Sequence, residues 1–112
     1  MLFHVTWDFV VPTEAGEKRH VALFAEWQPP AEADFQAFYI HADYSGGMAI
    51  VETETAAALA RTMAPWLPWL RFTAKPIEPV EVTMDIRREA IAFRESVGPA
   101  TVAARTKVTE VI

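Results

Sequence analysis

The chain has 112 residues, 52% of them hydrophobic, a net charge of -5 and no cysteine. This length and apolar content suit one hydrophobic core, so we expect a single domain over residues 1–97 and a C-terminal tail over residues 98–112. The acidic balance disfavours nucleic acid and anionic membranes as partners, and the lack of cysteine excludes disulfides, thiolate catalysis and cysteine-ligated metals.

The first residues, MLFHVTWDFVVP, are apolar but include His4 and Asp8. They lack a basic leader and a small-residue cleavage site, so we do not expect a signal peptide. No apolar run approaches the ~18 residues that a membrane span needs. We therefore expect a soluble, cytoplasmic protein.

Hydrophobic periodicity predicts seven elements in the order strand, helix, strand, strand, helix, strand, helix. In chain order they cover residues 2–9, 13–27, 35–42, 47–53, 53–64, 69–75 and 80–97. Thr13 is predicted to cap the first helix, and the pair Pro29-Pro30 follows its end.

Two helical stripes are predicted to face the core. The first helix has Val21, Phe24 and Ala25 at helical spacing, and the last has a longer stripe at Ile86, Ala90, Phe93 and Val97.

This order predicts an α+β fold of the ferredoxin-like βαββαβ type with an extra C-terminal helix. Two helices would cover one face of a four-stranded antiparallel sheet, and the other face would need a cover. Either the third helix provides it, or a second copy packs sheet on sheet.

Strand alternation predicts which side chains share the face without helices. Phe3, Val5, Trp7 and Phe9 should lie under the helices, as should Leu70, Phe72 and Ala74. An even-length turn at Ser45-Gly46 or Gly46-Gly47 would group the polar residues of all four strands, whereas an odd-length turn would not. The other face would then carry His4, Thr6, Asp8, Tyr39, His41, Glu52, Arg71 and Thr73 around Leu2, Ala37, Met48 and Ile50.

A mixed apolar and ionisable lining is typical of small-ligand cavities. The catalytic hypothesis assigns His4 or His41 as proton acceptor, Tyr39 as donor and Arg71 as the partner of an anionic oxygen. The remaining polar residues of the face would bind the ligand; they are Thr6, Asp8, Glu52 and Thr73.

Each residue also has a structural interpretation. Glu52 and Arg71 can form an ion pair, His41 can be solvated near its turn, and His4 can be a hydrogen-bonded core histidine. In the segment MAPWLPWLRF, Trp66 and Trp69 can roof a cavity, anchor a subunit interface or pack in the core.

A metal site built from His4, His41, Asp8 and Glu52 would use suitable nitrogen and oxygen ligands. The chain lacks the HxxxH and HxH spacings that favour such a site, so no metal is expected.

The stretches FHVTWDF, FAEWQPP, FYIHADYSGGMAIVE, APWLPWLRFTAKPIEPV and EAIAFRESV together resemble a family of small bacterial proteins that form a domain of unknown function. The resemblance covers nearly all of residues 1–97. That family is similar in element order to the dimeric α/β-barrel superfamily, in which two ferredoxin-like chains close their sheets around a cavity. The resemblance therefore implies a homodimer around a small hydrophobic ligand.

Members of that superfamily include cofactor-independent monooxygenases, isomerases and ligand-sensing domains, and no cofactor is expected here. Its haem-degrading members pair Asn, Trp and His, a pattern absent from a chain without asparagine. Two functions stay open: a cofactor-independent monooxygenase or isomerase on a hydrophobic substrate, and a non-catalytic module for ligand binding or dimerisation.

Overall fold

A computed structural model describes residues 1–10 and 13–98. Three helices, one short 3-10 helix and four strands follow one another in the predicted order. They are β1 (Leu2–Phe9), α1 (Glu14–Glu26), β2 (Asp34–Ile40), β3 (Gly46–Glu52), α2 (Ala56–Met63), the 3-10 helix Ala64–Trp66, β4 (Leu70–Ile77) and α3 (Val80–Ser96). Within these residues, no helix is long and apolar enough to cross a membrane.

The chain forms two compact units, Met1–Ile77 and Glu78–Ile112. The first contains the sheet, α1 and α2, and the second contains α3. Apart from Gly98, the predicted tail over residues 98–112 lies outside the described residues.

The four strands form one antiparallel sheet in the order β2-β3-β1-β4, so the predicted α+β class is confirmed. The central strand β1 alternates buried and half-buried side chains from Leu2 to Trp7, as the sequence predicts. Its buried residues Phe3, Val5 and Trp7 face the same side as Ala49 and Val51 of β3, because paired residues share a face.

The β2–β3 loop lies earlier than predicted, because Gly46 and Gly47 belong to β3 and residues 41–45 connect the two strands. A Cβ on Gly46 would meet the backbone of Trp7, and one on Gly47 would lie 2.5 Å from Trp7 Cζ2. These glycines therefore permit close strand packing and do not form the turn. The N–H of His41 donates to the Gly46 carbonyl at 2.8 Å, so the turn beyond this last pair covers residues 42–45 and has an even length. The predicted pairing of odd with even positions is therefore confirmed from Ala37 to Ile40, as in Tyr39 with Met48.

The loop is built by local hydrogen bonds. The Asp43 carboxylate accepts from the Ser45 backbone N–H at 3.0 Å and from the Ser45 hydroxyl at 2.7 Å. The N–H of Tyr44 donates to the His41 carbonyl at 2.9 Å, and Tyr44 has a φ of 60°. An aspartate that hydrogen-bonds two residues ahead is the usual stabiliser of such a turn.

A register shift interrupts β2 between Phe35 and Ala37. Strict alternation would place Phe35 on the opposite face from Phe38. The shift brings both rings to one face, where their centroids are 5.3 Å apart in a stacked arrangement.

Helix α1 begins at the predicted N-cap, where Thr13 Oγ1 accepts from the Gly16 N–H at 3.0 Å. The predicted stripe holds only in part. Phe24 faces the sheet, with its ring centroid 5.7 Å from that of Trp66 and 6.0 Å from that of Phe38, although Val21, Phe24 and Ala25 are all exposed. Leu23 and the following Trp27, which lie outside the predicted stripe, also pack against the core. No residue of α1 is fully buried.

Helix α3 also differs from the prediction. None of its residues is buried, and the stripe residues Ile86 and Phe93 are exposed while Ala90 is half-buried. Its periodicity thus predicts the helix correctly but does not identify a buried core.

The core of the first unit lies on one side of the sheet. It joins β1, β3 and the start of β4 to α2 and the 3-10 helix, through Phe3, Val5, Trp7, Ala49, Val51, Leu59, Trp66 and Leu70. Within this unit, the helices α1 and α2 therefore cover this face, which we call the helix-covered face; the opposite face of the same unit is called the open face.

Candidate functional site: an aromatic pocket on the helix-covered face

The open face carries every residue that strand alternation predicted for the face without helices, and these residues form four rows across the sheet. Residues two apart on a strand are about 7 Å apart, so successive rows are separated by that distance. Each row takes one residue from each strand, in the order β2, β3, β1 and β4. The first row is His41, Gly46, Asp8 and Arg71, and the second is Tyr39, Met48, Thr6 and Thr73. The third row is Ala37, Ile50, His4 and Lys75, and the fourth is Asp34, Glu52, Leu2 and Ile77.

The predicted catalytic residues share this face but are spread over it. His41 and Arg71 lie in the first row, Tyr39 lies in the second, and His4 lies in the third. His4 and Arg71 are therefore about 13 Å apart along the strands. Thr6 and Thr73 are direct neighbours in the second row.

The structural interpretation of Glu52 and Arg71 as an ion pair is wrong. They stand in the fourth and first rows, about 20 Å apart along the strands. Glu52 Oε1 instead lies 2.6 Å from the amino group of Met1.

His41 lies in the hairpin, and its Nδ1 is 3.2 Å from the Ser45 hydroxyl. Its side chain is exposed, as the solvated interpretation predicts. The hydrogen bond from the Ser45 hydroxyl, joined by the one from the Ser45 N–H, lowers the pKa of Asp43. His41 thus belongs to a local turn network.

The four rows separate the residues of the alternative metal site, His4, His41, Asp8 and Glu52. Throughout residues 1–10 and 13–98, no three His, Asp or Glu side chains cluster in a way that could hold a metal ion.

The helix-covered face holds an apolar pocket of about 460 Å³. In the sequence, only the interpretation of Trp66 and Trp69 as the roof of a cavity pointed to it. The sheet forms its floor, with Val5, Ala49 and Val51 among the floor residues. One wall is α1, and the other is α2 with the 3-10 helix and the following loop. All of these parts belong to the first unit.

Aromatic rings dominate the lining of this aromatic pocket. All four tryptophans of the chain take part. The lining aromatic residues are Trp7, Phe9, Phe24, Trp27, Phe35, Phe38, Tyr44, Trp66, Trp69 and Phe72. Many of these rings meet edge to face, as in the Trp27–Trp66 pair at 5.3 Å and 88°.

The imidazole of His20 lies in the wall formed by α1. It stacks on Trp69 at 5.2 Å with an 8° angle between the rings, and its centroid is 5.3 Å from that of Trp66. Partial burial lowers the pKa of His20, because desolvation penalises the charged ring. The neutral imidazole is therefore favoured in the pocket.

Comparison with known sequence families gives a match to a domain of unknown function, DUF3303, over residues 1–91. The chain belongs to this family. A comparison with curated proteins found no match. The matched region of this DUF3303 chain includes the whole sheet, the open face and every residue of the aromatic pocket.

The two tryptophans that the sequence singled out in this DUF3303 chain do line a pocket. Trp66 is buried, Trp69 is half-buried, and they meet at 6.4 Å. However, they lie on the helix-covered face, away from the polar open face with which the sequence grouped them. The predicted ligand-binding residues therefore lie at two separate places. Trp66 and Trp69 belong to the helix-covered face, and the open face carries Thr6, Asp8, Glu52 and Thr73.

Sequence reasoning missed His20, although one signal was present. His20, Leu23 and Trp27 are spaced by three and four residues, which places them on one face of α1. Each is half-buried in the structure. The ring partners of His20 come from distant positions in the chain, Phe9, Trp66 and Trp69, so the sequence could not show that the histidine lines an aromatic pocket.

Polar groups are few in this pocket. Thr62 donates its hydroxyl to the Ala58 carbonyl at 2.8 Å, so its donor is already used. Trp7 Nε1 is buried without a hydrogen-bond partner within the described residues. Glu17 and His20 remain as the ionisable lining residues of α1.

Proposed function

We propose that the protein binds a small, flat, hydrophobic molecule in the aromatic pocket. The observation that supports this most directly is the pocket itself, with its volume of about 460 Å³ and its ring of aromatic side chains. Ligand sites in proteins are mostly apolar clefts of roughly 300–1,000 Å³ with a few polar groups.

The packing of α1 supports the same proposal. Protein interiors are normally filled to crystal-like density, whereas this helix buries none of its residues. Val21 and Phe24 line the pocket yet are 64% and 47% exposed. A ligand between α1 and the sheet would remove this apolar surface from water, which is the main source of affinity for hydrophobic molecules.

The four tryptophans provide a direct assay. Because all of them line the pocket, their indole N–H signals in a ¹⁵N–¹H NMR spectrum should shift during titration with 2-methylnaphthalene, a flat apolar probe. Binding in the aromatic pocket predicts shifts at several of the four signals with one common dissociation constant.

A matched pair of variants on α1 locates the binding. Val21 lines the pocket and Ala22 does not, although both are exposed. Val21→Arg should weaken binding at least several-fold, because it replaces an apolar lining by a charge, whereas Ala22→Arg should leave binding unchanged. Equal affinities in both variants, or no shift of any indole signal in the unaltered protein, would refute the proposed function.

A second function concerns the open face. We propose that two copies pair through it as a homodimer, with a cofactor-independent reaction at His4, Tyr39, His41 and Arg71. Half-exposed apolar residues support pairing, since Leu2, Met48, Ile50 and Ile77 run across three of the four rows. Tyr39 adds a 66% exposed ring.

Light scattering at several protein concentrations tests the pairing. A stable mass of twice the 12.5 kDa chain is expected. Ile50→Lys should reduce the mass to that of one chain, because it places a charge on the open face. The exposed Ala22→Lys on α1 is the control. A monomer at every concentration would refute the dimer. The residues His4, Tyr39, His41 and Arg71 would then be interpreted as structural polar residues of the sheet.

A further inference from the structure

His20 is the imidazole of the aromatic pocket, and three rings fix its orientation. Trp69 stacks on one side at 5.2 Å, Trp66 lies at 5.3 Å and Phe9 lies at 6.0 Å. Gly16, one turn earlier on α1, leaves room for Trp69, whose Nε1 would lie 3.5 Å from a Cβ at that position. The histidine is therefore held in a defined position with respect to the pocket.

Neither ring nitrogen of His20 has a hydrogen-bond partner within the described residues. A neutral imidazole has one N–H donor and one nitrogen acceptor. Removing such a polar group from water without giving it a new hydrogen-bond partner costs free energy. An apolar ligand filling the pocket would displace water from this ring. A ligand with a matching polar group would instead replace that water.

We infer that the ligand carries a hydroxyl group that hydrogen-bonds to His20, which makes its class a flat hydroxylated aromatic molecule of the phenol or naphthol type. This inference rests on the proposed function, because it describes the ligand of the same pocket.

The charges of the lining favour a neutral hydroxyl over a carboxylate. Glu17 lies one turn before His20 on α1 and lines the same pocket, so it would repel an anionic ligand. No lysine or arginine lines the pocket within residues 1–10 and 13–98. Burial lowers the pKa of His20, so the ring itself offers little positive charge. A hydroxyl can donate to the free nitrogen or accept from the N–H without adding a charge.

The test compares two ligands of nearly equal shape, 2-naphthol and 2-methylnaphthalene, in three forms of the full chain. These are the unaltered protein, His20→Phe, which keeps an aromatic ring but loses the hydrogen bond, and His20→Asn, which keeps hydrogen-bonding capacity. The indole N–H shifts give each dissociation constant, and thermal unfolding confirms that each variant is folded. The ratio of the two constants isolates the contribution of the hydroxyl.

The unaltered protein should favour 2-naphthol relative to 2-methylnaphthalene by about 5- to 10-fold more than His20→Phe does, which corresponds to one hydrogen bond. His20→Asn should restore part of this preference, and 2-methylnaphthalene should bind His20→Phe at least as tightly as the unaltered protein, because phenylalanine has no ring nitrogen to desolvate.

Two failures can be told apart. If both ligands bind and the ratio is the same in the unaltered protein and His20→Phe, the hydroxyl inference is wrong and the proposed function stands. If neither ligand binds, the proposed function and the inference fall together. Tighter binding of tetramethylammonium than of 2-naphthol would also overturn the inference, because the rings and Glu17 would then select a cation.

Discussion

Replacing Gly46 with alanine would place a side-chain carbon against the backbone of the neighbouring strand. The new Cβ would fall well inside 3.0 Å of the Trp7 carbonyl oxygen, a separation that real Cβ atoms essentially never show. Because the obstructing atoms belong to the backbone of β1, no side-chain rotation relieves the clash. The start of β3 must therefore move away from β1.

That movement has a calculable cost. It breaks or lengthens the hydrogen bonds from Phe9 N to the Ser45 carbonyl at 3.1 Å and from His41 N to the Gly46 carbonyl at 2.8 Å. Each contributes about 1 kcal/mol to the free energy of unfolding. Overpacking adds about 1–3 kcal/mol. We therefore expect Gly46→Ala to lower stability by about 3 kcal/mol or more, and the melting temperature by at least about 12 °C.

Urea and thermal unfolding followed by circular dichroism measure this loss. Gly98→Ala is the matched control, since its added Cβ would have no heavy atom within 4 Å, and it should change stability by less than about 0.5 kcal/mol. If Gly46→Ala is as stable as Gly98→Ala, then Gly46 does not lie against Trp7, and the account of why the glycines belong to the strand is wrong.

Three further predictions concern single groups. Burial lowers the pKa of His20 below 6.5, so the unfolded chain binds more protons there, and stability should fall as the pH drops through about 6.5. Urea unfolding between about pH 8 and about pH 5 should show a smaller decrease for His20→Phe; an equal decrease would contradict this. Ser45→Ala should raise the pKa of Asp43 towards its ordinary value, measured by carboxyl ¹³C shifts, since it removes the hydroxyl donor. Thr13→Ala should cost about 1 kcal/mol in urea unfolding because it removes the acceptor for the Gly16 N–H, and an unchanged midpoint would exclude that cap.

The sheet was predictable because strand alternation has a period of two and one face is buried. Phe3, Val5 and Trp7 alternate with half-buried residues, so the sequence determined which side they take. The place of the turn was not predictable in this way. Gly46 and Gly47 have ordinary turn chemistry, and only the close approach of Trp7, which lies far earlier in the chain, assigns them to the strand.

Two features of the pocket lie beyond the reach of local patterns. The register shift that brings Phe35 beside Phe38 depends on pairing with β3, since nothing in the β2 sequence breaks its alternation. The space between α1 and the sheet depends on how closely a helix approaches a sheet. Helical periodicity predicts which residues share a face of α1, but it does not predict that distance.

The two faces of the sheet therefore differ in what their residue types show. Any antiparallel sheet with one solvated face carries polar residues there, so the presence of His4, Tyr39 and Arg71 on the open face fits solvation as well as chemistry. An apolar pocket of about 460 Å³ is harder to explain by folding alone, because close packing favours closing it. The naphthol comparison at His20 addresses that feature directly. If the pocket binds neither ligand, the aromatic lining must be interpreted as a loosely packed core, and the open face becomes the next place to search for function.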